Sequence, residues 1–308
     1  MEASIALKDI SKRYPSGPAL DSVTFGVERH TIFGIVGPAG AGKSTLLQIL
    51  TTLITSDTGT VFIHGIPLHE QPGYIRSLSG YVPEQEMLNP DGTVFENLKL
   101  HGLLYGLSPQ KATVRSRKLL EQFDLLEYAH DFPDSLPVSL RRLVSFARAL
   151  VSDPDLLYLD EPVMRSDYRT RSLIWEYLHT QAGDKTVCFT TMSISEAEEH
   201  ADRYIVLHQG RVLTDRLHED IRNIIQRDTE YLLEFHPPHR RPKELLRDME
   251  GVIALEEWDS RVSFHLERAT DFLEVIRKIG VDTIRDLRVK EPDLNRIILD
   301  LTKEDIYE

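Results

Sequence analysis

The 308-residue chain predicts an α/β fold with a mostly parallel sheet core, followed by a small α+β C-terminal domain. Short apolar runs alternate with amphipathic helical stretches through its first two thirds, the pattern left by buried strands joined through crossover helices. The segment GPAGAGKST, Gly37–Thr45, lies between an apolar run and a helical one and fits G-x-x-x-x-G-K-[ST], a pattern that grips phosphate. A later run, LLYLDEP, Leu156–Pro162, ends an apolar stretch on two adjacent carboxylates.

Along the chain, Thr31 to Val36 reads as a strand and Ser44 to Leu53 as a helix whose N-terminal dipole faces an anion. Between them, Gly37, Gly40 and Gly42 can curl the loop so that its N–H groups point inward, with no Cβ in the way. Pro38, Ala39, Ala41 and Thr45 complete the segment. Lys43 brings positive charge to the β and γ phosphates and Ser44 offers its hydroxyl to Mg2+, so the chain is expected to bind a nucleotide.

From about residue 92 to 150 the pattern turns helical, with Phe95 to Tyr105, Gln110 to Phe123 and Arg141 to Val151 carrying apolar residues at three- and four-residue spacing. Leu156 to Leu159, Val187 to Thr191 and Tyr204 to His208 read as buried strands, the last turning through Gln209-Gly210 into a hairpin with Arg211 to Thr214. At the end of the first of these strands, Asp160 is placed to bind the metal, directly or through water, and Glu161 to polarise an attacking water as general base. The bland alternative is a pair of surface acids after a strand.

These elements suggest a nucleotide domain over residues 1–218, a charged helical connector over 219–230 centred on Glu219 to Gln226, and a small domain over 231–308. Within the last, Tyr231 to Phe235 is an expected strand, Pro242 to Met249 a helix, Val252 to Trp258 and Arg261 to Leu266 a strand pair, and Asp271 to Ile279 a helix. The basic, proline-containing stretch His236 to Pro242 reads as a solvated loop.

A net charge of −13 makes nucleic acid a poor partner. No apolar run approaches the roughly 18 residues needed to cross a bilayer, and the first residues lack a leader pattern, so the chain is expected in the cytoplasm. Cys188, the single cysteine, excludes an internal disulfide and reads as a buried structural thiol.

From Ile5 to Thr214 the chain resembles the ATP-binding cassette family, the nucleotide-binding subunits of ABC transporters. The resemblance implies a P-loop NTPase of ABC type, with antiparallel N-terminal strands and a helical subdomain, that binds ATP and Mg2+ through Walker A and Walker B segments. It gives Tyr14 the place where the family stacks an aromatic ring on adenine, a core tyrosine at a strand end being the alternative. Gly80-Tyr81-Val82-Pro83-Glu84-Gln85 is similar to the family's glutamine loop, in which either Glu84 or Gln85 serves, Gln85 as the residue that senses the metal. Phe95-Glu96-Asn97-Leu98, the following LYGLS and the tail Glu291 to Thr302 look like those of drug-exporter ATPases. The implied partners are a polytopic membrane permease and a second cassette subunit, identical or different, on the inner face of the cell membrane.

Two parts of the family pattern are missing. The signature Leu-Ser-Gly-Gly-Gln is replaced in register by Leu136-Pro137-Val138-Ser139-Leu140, upstream of a retained Ala147-Arg148-Ala149-Leu150. Pro137 has neither hydroxyl nor N–H, Val138 adds a branched side chain, and Ser139 substitutes only if the segment slides by two residues. The switch histidine is Met192, which cannot donate a strong hydrogen bond. After Glu161, only Asp167 of the usual Thr-Ser-Gly-Leu-Asp remains. The readings left open are a slowly hydrolysing transport ATPase, an ATP-clamping regulatory subunit, and a soluble cassette ATPase acting on ribosomes or DNA repair intermediates.

Overall fold

The computed structural model describes residues 3–181, 183–214, 229–236, 242–258, 260–267, 272–290, 294 and 296–298. The chain divides into two compact units, residues 1–215 and 216–308.

The first unit opens with two long antiparallel strands, β1 (Ala3–Tyr14) and β2 (Gly17–Glu28). They form a four-stranded sheet with β4 (Thr58–Ile63) and β5 (Ile66–Pro67), in the order β2-β1-β4-β5. The second sheet has six strands in the order β10-β9-β3-β8-β7-β6. These are β3 (Ile32–Val36), β6 (Ser79–Val82), β7 (Leu156–Asp160), β8 (Thr186–Thr191), β9 (Arg203–His208) and β10 (Arg211–Thr214). All pair in parallel except β10, which returns antiparallel along β9. Every residue of β3, β7 and β8 is buried, as continuous apolar runs in a parallel sheet require.

The register brings three strand ends together: Val36 pairs with Thr191, and Thr190 with Asp160. Whatever follows β3, β7 and β8 therefore meets at one carboxyl edge, where open α/β sheets bind ligands.

Helix α1 (Lys43–Leu50) follows β3, and α2 (Pro72–Leu78) precedes β6. The expected helix to Leu53 stops earlier because Thr52 turns left-handed at φ 63, with Thr52 N–H donating to Ile49 O at 3.0 Å and Leu53 N–H to Gln48 O at 2.9 Å to close the end. The helical insert holds α3 (Val94–Leu104), α4 (Pro109–Gln122) and α5 (Val138–Ala149). Thr93 and Glu96 close a reciprocal capping box on α3, and Ser108 caps α4 ahead of Pro109. The third helix starts three residues before the expected Arg141, because Pro137 holds the extended backbone of its N-cap. Helices α6 (Tyr168–Gln181) and α7 (Ile194–His200) flank β8 in sequence.

In the second unit, β11 (Glu230–Phe235), α8 (Pro242–Arg247), β12 (Val252–Trp258), β13 (Arg261–Leu266), α9 (Phe272–Ile279) and β14 (Ile284–Lys290) follow one another. The strands pair antiparallel in the order β12-β13-β11-β14, a split β-α-β-β-α-β unit. Leu233, Phe235, Val262, Phe264 and Leu266 of its sheet pack with Val275 and Ile279 of α9. The periodicity reading did not include β14. The expected connector helix Glu219 to Gln226 lies outside the described residues, as does most of the tail from Glu291 to Thr302.

Candidate nucleotide-binding site

The loop leaving β3 is fastened from behind. Gly37 N–H donates to Thr191 O at 3.1 Å, and Gly210 N–H donates to Ala41 O at 2.9 Å. Gly37 is needed for closeness rather than for a left-handed turn, since a Cβ there would sit 2.4 Å from Leu207 O. Gly40 and Gly42 are the turning residues, at φ +78 and +105, and a Cβ on Gly42 would also meet Ala19 O at 2.4 Å. Gly42 then stands as N-cap of α1 with no side-chain cap, so the first N–H groups of that helix remain available to an anion.

Lys43 is buried and folds back on the loop. Its Nζ donates to Gly37 O at 2.7 Å and Pro38 O at 3.2 Å, and lies 3.3 Å from Glu161 Oε1. Burial raises the Glu161 carboxyl above its ordinary range, while the Lys43 charge pulls it back. The Glu161 backbone is left-handed at φ 48 and held on both sides. Its N–H donates to Thr190 Oγ1 at 2.9 Å, and its carbonyl accepts from Arg142 Nη2 at 2.6 Å. The same Thr190 hydroxyl donates to Asp160 Oδ1 at 2.6 Å.

These groups border a cleft of about 320 Å³ lined by Tyr14, Ala19, the loop and helix start from Ala39 to Thr45, Glu84, Glu161 and Met192. Gly37, Pro38 and Asp160 do not line the cleft, and Asp160 is buried, 2% exposed. Of the two glutamine-loop candidates, Glu84 lines the cleft; Gln85 is exposed and outside the lining. Tyr14 is half-buried at the rim, where β1 turns into β2, rather than in the core.

The residues present fit Mg-nucleotide: a cradle that a Cβ would fill, an uncapped helix start, a buried ammonium, and oxygen donors from Ser44 and Asp160. Among the described residues no group of three or more His, Cys, Asp or Glu is placed to hold a metal alone. A hard cation here would draw its remaining oxygens from phosphate and water, as Mg2+ commonly does.

At the degenerate positions the geometry is specific. Met192 is 44% exposed at the cleft. Pro137 is the N-cap of α5 without a side-chain bond, and Val138 opens the helix 40% exposed. The Asp167 carboxyl is held below its usual range by the Thr170 N–H at 2.8 Å and by the Ser139 hydroxyl. Two site residues escaped the sequence reading. Thr190 sits inside an apolar run, and Arg142 looks like half of a solvated Arg141-Arg142 pair. The available signal was spacing, because Arg142 shares a helical stripe with buried Ser145, Phe146 and Ala149.

The family described as ABC transporter matches residues 20–164. Daunorubicin resistance ATP-binding protein DrrA2 of Streptomyces coeruleorubidus is 31% identical over 305 residues, spanning 97% of this chain and 95% of the relative. Nod factor export ATP-binding protein I of Burkholderia lata is 36% identical over 214 residues, 69% of this chain and 70% of that one. Among solved structures, an ATP binding subunit of an ABC transporter superposes with a TM-score of 0.65 at 30% identity, covering 71% of this chain and 91% of its own. A dimeric ATP-binding cassette in a post-hydrolysis state, bound to ADP and Pi, gives 0.64 at 29% identity, with 68% and 96% covered. With its phosphate loop, carboxylate-ended strand and parallel core matched in this way, the chain belongs to the ATP-binding cassette family of ABC transporter subunits.

Proposed function

We propose that this chain binds Mg-ATP and couples that binding, with slow hydrolysis, to export through a separate membrane permease. The observation that carries the reading is the Lys43–Glu161 contact at the cleft, at 3.3 Å. It sets a cation and a candidate base side by side at the loop, in a contact that a terminal phosphate would have to open to take the Lys43 charge.

Lys43 exchanges the Gly37 and Pro38 carbonyls for phosphate oxygens, and the loop N–H groups follow. Glu161, released from Lys43 and made more basic by burial, orients and deprotonates the attacking water. Ser44 and Asp160 hold Mg2+, which neutralises charge on the phosphate oxygens when bound. Tyr14 offers its ring to the base. Export is supported by the names of the relatives, one a drug-resistance and one a Nod factor export ATP-binding protein. No helix among the described residues is long and apolar enough to cross a membrane, which fits a subunit held at the cytoplasmic face by its permease. On this reading residues 1–218 are the ATP-binding domain, 219–230 a connector and 231–308 an accessory domain.

Slow turnover follows from Met192 and the Pro137-Val138 segment, since losing one preorganised donor costs about 10²–10³ in rate. A homodimer would carry both defects in each composite site, whereas an intact partner cassette would leave one in each. The start of α5, where the N-cap Pro137 offers no side-chain hydrogen bond, favours a second reading, a regulatory subunit that clamps ATP without hydrolysing it.

Mg-ATP titration and phosphate release separate these readings, with the chain reconstituted beside its permease and partner cassette. Lys43→Ala is expected to abolish saturable binding, and Glu161→Gln to keep binding while stopping release from this chain's site. Release unchanged by Glu161→Gln establishes the regulatory reading, and binding unchanged by Lys43→Ala overturns both.

A further inference from the structure

Helix α5 sends one side chain behind the cleft that the phosphate-gripping pattern does not require. Arg142 is 1% exposed, and its guanidinium is saturated by backbone. Nε donates to Pro162 O at 2.9 Å, Nη1 to Pro83 O at 2.5 Å and Glu84 O at 3.0 Å, and Nη2 to Asp160 O at 2.5 Å and Glu161 O at 2.6 Å. A guanidinium has five N–H groups in a rigid fork, and here these five bonds use that capacity on two loops far apart in sequence.

The arrangement constrains direction. Three successive carbonyls, those of Asp160, Glu161 and Pro162, turn toward Arg142. Glu161 is held in a left-handed conformation that a residue with a Cβ avoids, clamped at its N–H by Thr190 and at its carbonyl by Arg142. With its backbone fixed in this way, the Glu161 carboxylate lies against Lys43. The same fork holds the carbonyl of Glu84, whose residue lines the cleft beside Glu161.

We infer that Arg142 is a positioning residue that fastens the Pro83-Glu84 and Asp160–Pro162 turns into one body, aiming Glu161 at Lys43 and making Glu84 move with it. The consequence for turnover rests on the reading of Glu161 as the base; the mechanical coupling does not.

Hydrogen exchange on the nucleotide-free full chain tests the coupling directly. In Arg142→Gln, the amides of Glu84 to Glu86 and of Asp160, Glu161, Val163 and Met164 are expected to exchange faster together, by about 10- to 100-fold, with β3 and α6 unchanged. Arg142→Lys keeps the charge but has only three donors, so it should loosen both segments less, and it serves if the glutamine variant does not fold. Loosening of one segment alone, of neither, or of the whole unit equally overturns the inference. In the phosphate-releasing complex, kcat should fall about 100-fold with KM within about three-fold, and Arg142→Lys should recover part of the loss. A parallel fall in kcat and in folded fraction would overturn the positioning role. If the parent chain binds no Mg-ATP, the functional reading fails and the exchange result still decides the coupling.

Discussion

Lys43 Nζ lies 3.3 Å from Glu161 Oε1, with the two side chains 7% and 10% exposed. Two oppositely charged groups so far from water depend on each other, because each is costly to keep ionised alone. The Glu161 carboxyl is raised from its ordinary value of 4.5 by burial, against the pull of Lys43. A raised carboxyl contributes stability that is fully present below its unfolded pKa and is lost as pH rises through the folded pKa. Glu161→Gln has no such loss. Its stability relative to the parent should therefore increase as pH is raised from below 4.5, measured by urea denaturation without nucleotide. A stability difference that does not change with pH would remove the basis for a buried base.

The loop glycines should rank by the reason each is there. Gly40 is left-handed but has open space around it, so Gly40→Ala should cost only about 1–2 kcal/mol. Gly37→Ala and Gly42→Ala each drive a Cβ to within 2.4 Å of a backbone oxygen, on Leu207 and Ala19. Those two should lose nucleotide affinity as well as stability, since backbone must move to admit the methyl group. Melting temperatures and Mg-ATP titrations of the three variants give the order.

Thr190→Val keeps the shape of the side chain and removes the hydroxyl. It strips Asp160 of a donor at 2.6 Å and Glu161 N–H of an acceptor at 2.9 Å, both in buried surroundings. A loss of about 1–3 kcal/mol is expected in chemical denaturation. The Mg2+ concentration needed for half-maximal nucleotide binding should rise as Asp160 loses its orientation.

Met192→His restores a hydrogen-bond donor at a half-exposed position on the cleft, where the change should alter stability little. Phosphate release by the reconstituted complex should increase about 10- to 100-fold if this edge of the site limits the rate. No increase would assign the limit to the Pro137-Val138 end of α5.

Much of the site was legible because its chemistry is local. The segment from Gly37 to Thr45 and the pair Asp160-Glu161 are short runs whose residue types are dictated by one contact each. The rest depends on partners distant in sequence. Thr190 reads as a strand residue until the register sets it beside Asp160. Arg142 reads as solvated until two loops present their carbonyls to it. The long strands β1 and β2 gave no clean alternation because their pairing shifts register several times, between Leu7 and Ile10 and again between Ile10 and Lys12. Strand β14 was missed because Ile284, Leu287 and Val289 are interleaved with Arg285, Asp286, Arg288 and Lys290, as befits a charged edge strand.

The rear fastening of the phosphate loop also dictates when the pocket can exist during synthesis. Its backing comes from Thr191, Leu207 and Gly210, and Gly210 O in turn accepts from Asp21 N–H at 2.9 Å. A nascent chain that has emerged only to its Walker A segment has the sequence of a phosphate grip without the surfaces that shape it. Such long-range closure is slow. The amino-terminal part must wait, unliganded, for more than a hundred and fifty further residues to leave the ribosome.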